Sequence, residues 1–140
     1  MKVLFVEDVL LDVIRAKERN NDTLFLLNCC DDHLINGYVS TYSLIMILKQ
    51  FDYPTDDHIL KIMSNLLEII EIKTKNIRKA TQDEYFWKGF YSCLINRYGF
   101  DYIVSKHKIG FNHSKIELID PKELRKLIEN GKTDKQRRNL

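Results

Sequence analysis

Glycine and proline are scarce in this chain, with 5 and 2 residues among 140. So little of either excludes collagen-like repeats and Pro/Gly-rich disordered tracts. Cysteine is scarce too: Cys29, Cys30 and Cys93 form neither a disulfide framework nor a zinc-binding spacing. They read as small buried residues in a reducing compartment. No apolar run approaches the roughly 20 residues that span a bilayer. The chain opens directly on KVLFV and then acids, which is unlike a signal peptide. These absences predict a cytoplasmic protein with no membrane contact. Four histidines, at positions 33, 58, 107 and 113, lack ligand spacing. No phosphate loop, dinucleotide loop or Ser–His–Asp set is visible.

What is present fits one folded domain with a real core: 44% of residues are apolar, too many for a disordered chain. Net charge is only +2, but it is unevenly placed. Residues 1–70 hold 6 basic and 11 acidic side chains, and residues 71–140 hold 16 and 9. A basic second half can attract nucleic acid or an acidic partner. It can equally be a solvated surface once folding interleaves the halves, which is the commoner outcome.

Hydropathy patterning alternates strands with helices. Lys2 to Val6 is a β-branched and aromatic run, hence a buried strand. Asp8 then serves as N-cap or first-turn acid for a helix with an apolar stripe of Val9, Leu10, Val13 and Ile14. A second helix is predicted over 20–34, a turn at Asn36-Gly37 and the end of a strand at Tyr38-Val39. Ser40 caps a third helix, and Tyr53-Pro54 ends it. A fourth begins at Thr55. A strand over 69–73 and a short helix over 76–81 follow. Next comes a long helix over 83–98, ended at Gly99. Strands are predicted over 102–105 and 115–119. Pro121 opens a last helix that Gly131 stops, leaving a polar, mobile tail over 131–140. Such alternation predicts a three-layer α/β/α domain around a mainly parallel sheet of about five strands. Sites in these sheets form beyond the carboxyl ends of strands, here Val6, Val39-Ser40 and Ser105 to Lys108.

Two segments, MKVLFVEDVLLDVI and GFDYIVSKHKIGF, resemble the first and last parts of PIN-domain ribonucleases, the fold of VapC-type toxins. That family opens on a hydrophobic strand, Asp-Thr-Asn and Val-Leu-Leu-Asp; this chain has KVLF, Val6-Glu7-Asp8 and VLLD at 9–12. The family then has a strand leading into Ser and often a Glu; GYVS at 37–40 leads here to Met46. Its closing pattern, Gly-x-Asp-Tyr-Ile-Val-Thr-Arg-Asn followed by two residues and Asp-Phe, corresponds to GFDYIVSKH at 99–107 and then Gly110-Phe111. KIELIDPKELRKLI is similar to its final strand and helix. A helical Asp-Phe-Glu-Asp falls, counted back without gaps, on Tyr85-Phe86-Trp87-Lys88; a two-residue insertion would bring Asp83 and Glu84 there instead. The resemblance covers residues 1–130 and implies a PIN-like domain of that extent. It also implies homodimers, an antitoxin-like protein partner and RNA as the substrate class.

In that register, the family's metal-binding carboxylates fall on Val6, Met46, Lys88 and Gly110. Mg²⁺ and Mn²⁺ want oxygen ligands, and in such nucleases the metal activates water and stabilises the phosphate being cleaved. Val, Met and Gly supply no side-chain oxygen, and Lys88 adds a positive charge. The resemblance therefore implies the fold without the nuclease site, hence no metal cofactor and a role in binding. One alternative keeps Mg²⁺- or Mn²⁺-dependent ribonuclease activity on displaced carboxylates: Glu7, Asp8, Asp12, Asp83 and Glu84. Their plainer role is capping and solvated helix edge. Lys106, His107 and Lys108 can hold phosphate oxygens or simply face water. Tyr85, Phe86, Trp87, Phe90 and Tyr91 can stack bases, although at helical spacing core or a subunit interface is commoner. A second alternative is a receiver-like signalling domain, which FVED resembles, although the third strand ends in Lys73-Thr74 and offers no phospho-accepting aspartate.

Overall fold

Alternation within KVLF decides how the sheet is covered. In the computed structural model, β1 (Lys2–Phe5) turns Val3 and Phe5 toward one apolar cluster and Leu4 toward another, as the two-residue period of a strand requires. A strand buried on both faces needs helices on both. The structure describes residues 1–15, 21–51, 55–82, 86–106 and 118–138, with the backbone alone for 55–56 and 132–138. After β1 come α1 (Glu7–Ile14), α2 (Asn21–Asp31), β2 (Asn36–Ser40), α3 (Thr41–Leu48), α4 (Thr55–Leu66) and β3 (Glu68–Ile70). Then follow α5 (Thr74–Thr81), α6 (Phe86–Tyr98), β4 (Tyr102–Val104), β5 (Leu118–Ile119) and α7 (Pro121–Arg138).

The sheet order is β3-β2-β1-β4-β5, and every pairing is parallel. Leu4 stands in register with Tyr38 on one side and Ile103 on the other. Val3, Phe5, Val39 and Val104 join Leu10, Leu26, Ile47, Met63 and Leu124 in a core under α1, α2, α3, α4 and α7. Leu4, Ile70 and Ile103 join Ala80, Phe90 and Leu94 in a second core under α5 and α6. This is the expected PIN-like three-layer α/β arrangement with five strands. The chain builds outward from β1 through β2 to β3, then crosses back to β4 and β5. The switch point thus lies between β1 and β4, where open α/β sheets form their crevice. A receiver domain would instead order its strands 2-1-3-4-5, so the observed order overturns the receiver-like expectation.

Several termini follow local chemistry. The Ser43 N–H donates to Ser40 Oγ at 3.1 Å, capping α3. Gly99, at φ +69°, ends α6, and its N–H donates to Ile95 O at 2.7 Å. Asp120 Oδ1 accepts from the Glu123 N–H at 2.8 Å ahead of Pro121, so α7 has both its cap and its first-turn proline. Elsewhere the expectations need correction. α2 stops at Asp31, with His33 left-handed at φ 59° and the His33 and Leu34 N–H groups bonded to Cys30 O and Cys29 O; this is a Schellman ending with histidine where glycine is usual. Asn36-Gly37 is no turn but the start of β2. α7 continues through Gly131 to Arg138, because a glycine weakens a helix by about 1 kcal/mol without breaking it. Among the described residues, no helix is long and apolar enough to cross a membrane.

Candidate functional site

The carboxyl end of β1 feeds directly into α1, so consecutive residues enter different environments. Val6 donates its N–H to Val104 O at 3.0 Å, the last rung between β1 and β4. Its side chain continues the Leu4 face and packs against the α5–α6 core. Met46 lies half-buried on α3, and Lys88 half-buried in the first turn of α6. Among the described residues Lys88 forms no ion pair. Gly110, the fourth position of this set, lies outside the described residues, as do His107, Lys108, Asp83, Glu84 and Tyr85.

The acids that follow Val6 are held by partners from distant parts of the chain. Asp8 Oδ2 accepts the Ser105 hydroxyl at 2.8 Å and the Lys106 backbone N–H at 2.9 Å. Asp8 Oδ1 also accepts the Val9 N–H at 2.7 Å. The Lys106 ammonium pairs with Asp12 Oδ2, one helical turn further along α1. Asp8 and Asp12, four residues apart on one helix face, thus bind the two ends of a single residue after β4. Glu7 turns the other way: its Oε2 accepts the Ser43 hydroxyl at 2.7 Å, which ties α1 to the first turn of α3. Ser43 and Ser105 are buried, so each hydroxyl needs a partner within the protein.

Above these acids sits Tyr91 of α6, 6% exposed. Burial pushes its phenol well above the usual tyrosine range, and the nearby charges of Glu7 and Asp8, with Tyr42, push the same way. Tyr42 is raised by burial and by Glu7. Tyr91 and Tyr42 belong to one aromatic cluster. Tyr42, Phe86, Trp87, Phe90 and Tyr91 make that cluster, with neighbouring ring centroids 5.1–6.2 Å apart. Phe90 and Tyr91 are core, whereas Phe86 and Trp87 remain 37% and 40% exposed.

A hard cation would have to compete with internal partners for the described oxygens of this set. Such ions take six or more oxygens in an open shell. Here Glu7 Oε2, both Asp8 oxygens and Asp12 Oδ2 accept serine hydroxyls, backbone N–H groups and an ammonium. Among the described residues, no group of three or more histidine, cysteine, aspartate or glutamate side chains could hold a metal ion. Chemically the arrangement is a polar clasp that ties the start of α1 to the chain leaving β4 and to α3. Sequence reading named Glu7, Asp8, Asp12 and Lys106 but missed Ser43 as the partner of Glu7 and Ser105 as that of Asp8. The available signal was a serine directly after a strand and another in the first turn of a helix.

No protein-family model matches the chain, and no curated protein matches it by sequence. Among solved structures, a chain of VapBC2 from Rickettsia felis, crystallised bound to a DNA fragment from their promoter, superposes with a TM-score of 0.54. The two are 12% identical, and the match covers 86% of this chain and 98% of that one. At that identity the likeness is one of fold: the chain has the three-layer PIN-like α/β architecture.

Proposed function

We propose that this chain is a toxin–antitoxin-related, VapC-like module that keeps the PIN fold without metal-dependent nuclease activity and works by binding an antitoxin-like protein. The observation that carries this reading is the clasp of Asp8 with Ser105 and Lys106. It engages Asp8 with internal partners, where a nuclease needs open carboxylates. Val6, packed into the α5–α6 core, supports it, since an apolar residue there removes a ligand. RNA contact through Lys106 is disfavoured, because its ammonium is taken by Asp12.

One observation favours a second reading, a Mg²⁺- or Mn²⁺-dependent ribonuclease on displaced acids: Glu7 and Asp8 open α1 at the carboxyl end of β1, where sites in such sheets form. An RNA-degradation assay with either ion separates the two. The binding reading expects no cleavage above a no-protein control. Cleavage abolished by Asp8→Ala would establish the nuclease instead.

A further inference from the structure

The α5–α6 layer has an unusual charge pattern. TKNIRKAT and FWKGFYSCLINRY carry Lys75, Arg78, Lys79, Lys88 and Arg97 with no aspartate or glutamate. The residues of α6 that face α5 are small or polar: Gly89, Ser92, Cys93 and Asn96, at helical spacing. They leave a groove of about 490 Å³ between the helices. Lys75 and Lys79 line one side and Arg97 the other, with Asn76, Ser92 and Asn96 between them.

Two basic residues elsewhere are paired with acids. Lys106 pairs with Asp12, and Arg125 with Asp22 and Glu129. Lys75, Lys79 and Arg97 form no ion pair among the described residues. Arg97 lies 5.4 Å from the Tyr98 ring centroid, a contact that uses the face of its guanidinium and leaves its N–H groups for other acceptors. Three like charges around one groove repel one another until an anion enters.

The lining also says which anion. Among the described residues, no apolar side chain apart from Cys93 borders the groove. A protein segment binds through apolar anchors in its buried centre, and nothing here receives one. A phosphate backbone needs cations and hydrogen-bond donors only. Lys75 and Lys79, four residues apart on one helix face, are separated by about 6 Å along the axis, a spacing suited to neighbouring phosphates. We propose that the groove between α5 and α6 binds the phosphodiester backbone of a nucleic acid. This stands apart from the reading of the crevice, since neither Asp8 nor Lys106 lines the groove.

The test is fluorescence anisotropy of a labelled single-stranded RNA of mixed sequence, titrated with the full chain over a range of salt concentrations. The wild type is compared with the triple variant Lys75→Gln, Lys79→Gln, Arg97→Gln and with Lys106→Gln. The triple variant is expected to bind at least about tenfold more weakly and to lose roughly 2 to 3 from the log–log salt slope, while Lys106→Gln binds as the wild type does. Unlabelled RNA, single-stranded DNA and duplex DNA identify the preferred backbone, and competition by any of them with that slope supports the proposal. Equal binding by the triple variant, loss on Lys106→Gln alone, or equal competition by polyglutamate would each overturn it. If the triple variant no longer melts cooperatively, amide shifts in wild-type protein on adding RNA give the reading. Shifts centred on residues 75–79 and 92–97 support the groove; shifts confined to other elements overturn it.

Discussion

Asp8 and Lys106, 98 residues apart in sequence, meet at the switch point of the sheet, where the Lys106 N–H donates to Asp8 Oδ2 at 2.9 Å. Ser105 donates to the same oxygen at 2.8 Å. The carboxylate thus pins the chain leaving β4 to the helix leaving β1. Asp8→Ala leaves the buried Ser105 hydroxyl without this acceptor, and the expected loss is about 1–3 kcal/mol of stability. A lower urea midpoint at unchanged slope is the expected result. A gain in stability would instead mark Asp8 as a strained functional acid.

Val6→Asp restores the residue that the family resemblance implies. The new carboxylate would enter the α5–α6 core beside Glu7 and Asp8. Its burial without a partner is expected to cost about 2–4 kcal/mol, seen as a lower melting temperature that Mn²⁺ does not restore. Recovery of the melting temperature on adding Mn²⁺ would show that a metal site can still assemble there.

Gly37 sits where strand and helices meet closely. A Cβ at that position would lie 2.5 Å from Leu67 Cδ2, 2.6 Å from Cys30 Sγ and 3.2 Å from Phe5 Cε2. Gly37→Ala is therefore expected to destabilise by about 1–3 kcal/mol through overpacking. Pairing it with Leu67→Ala should recover part of the loss in a double-mutant cycle. Strictly additive losses would place the strain elsewhere.

The same glycine shows where sequence reading stops. Asn36-Gly37 has the composition of a turn, but its glycine is required by Leu67 and Cys30, which only the folded chain brings near. By contrast, the Ser40 cap, the Gly99 stop and the Asp120-Pro121 start are settled within three or four residues and were legible. So was the strand–helix alternation that produces the three layers. For the site, Asp8, Asp12 and Lys106 could be named individually. Their grouping could not, because the Ser43–Glu7 and Ser105–Asp8 bonds join residues 36 and 97 positions apart.

Alkaline pH should weaken the fold through two buried acids. Burial, with the neighbouring Cys29 charge, pushes the Cys30 thiol up from 9.0 to about 12. Burial and the Glu7 and Asp8 charges push the Tyr91 phenol up from 10.0. Well below pH 8 both states keep both protons, and these groups contribute no pH dependence; the Cys30 contribution sets in as the pH rises through the ordinary thiol value of 9.0. Above it the unfolded chain releases protons that the native state retains, so stability falls, by about 1.4 kcal/mol per pH unit for each proton. Urea melts between pH 8 and 11 are expected to show that decline, first from Cys30 and then from Tyr91. Tyr91→Phe should flatten the part above pH 10. An unchanged slope in that variant would assign the decline to other groups.

Calorimetric titration of Mg²⁺ and Mn²⁺ into the folded chain bears most directly on whether the fold is kept without its nuclease chemistry. With Asp8 held by Ser105 and Lys106, and Asp12 by the Lys106 ammonium, the expected result is no saturable heat with either ion. Saturable binding that disappears in Asp8→Ala would contradict this and place a metal centre on the displaced acids.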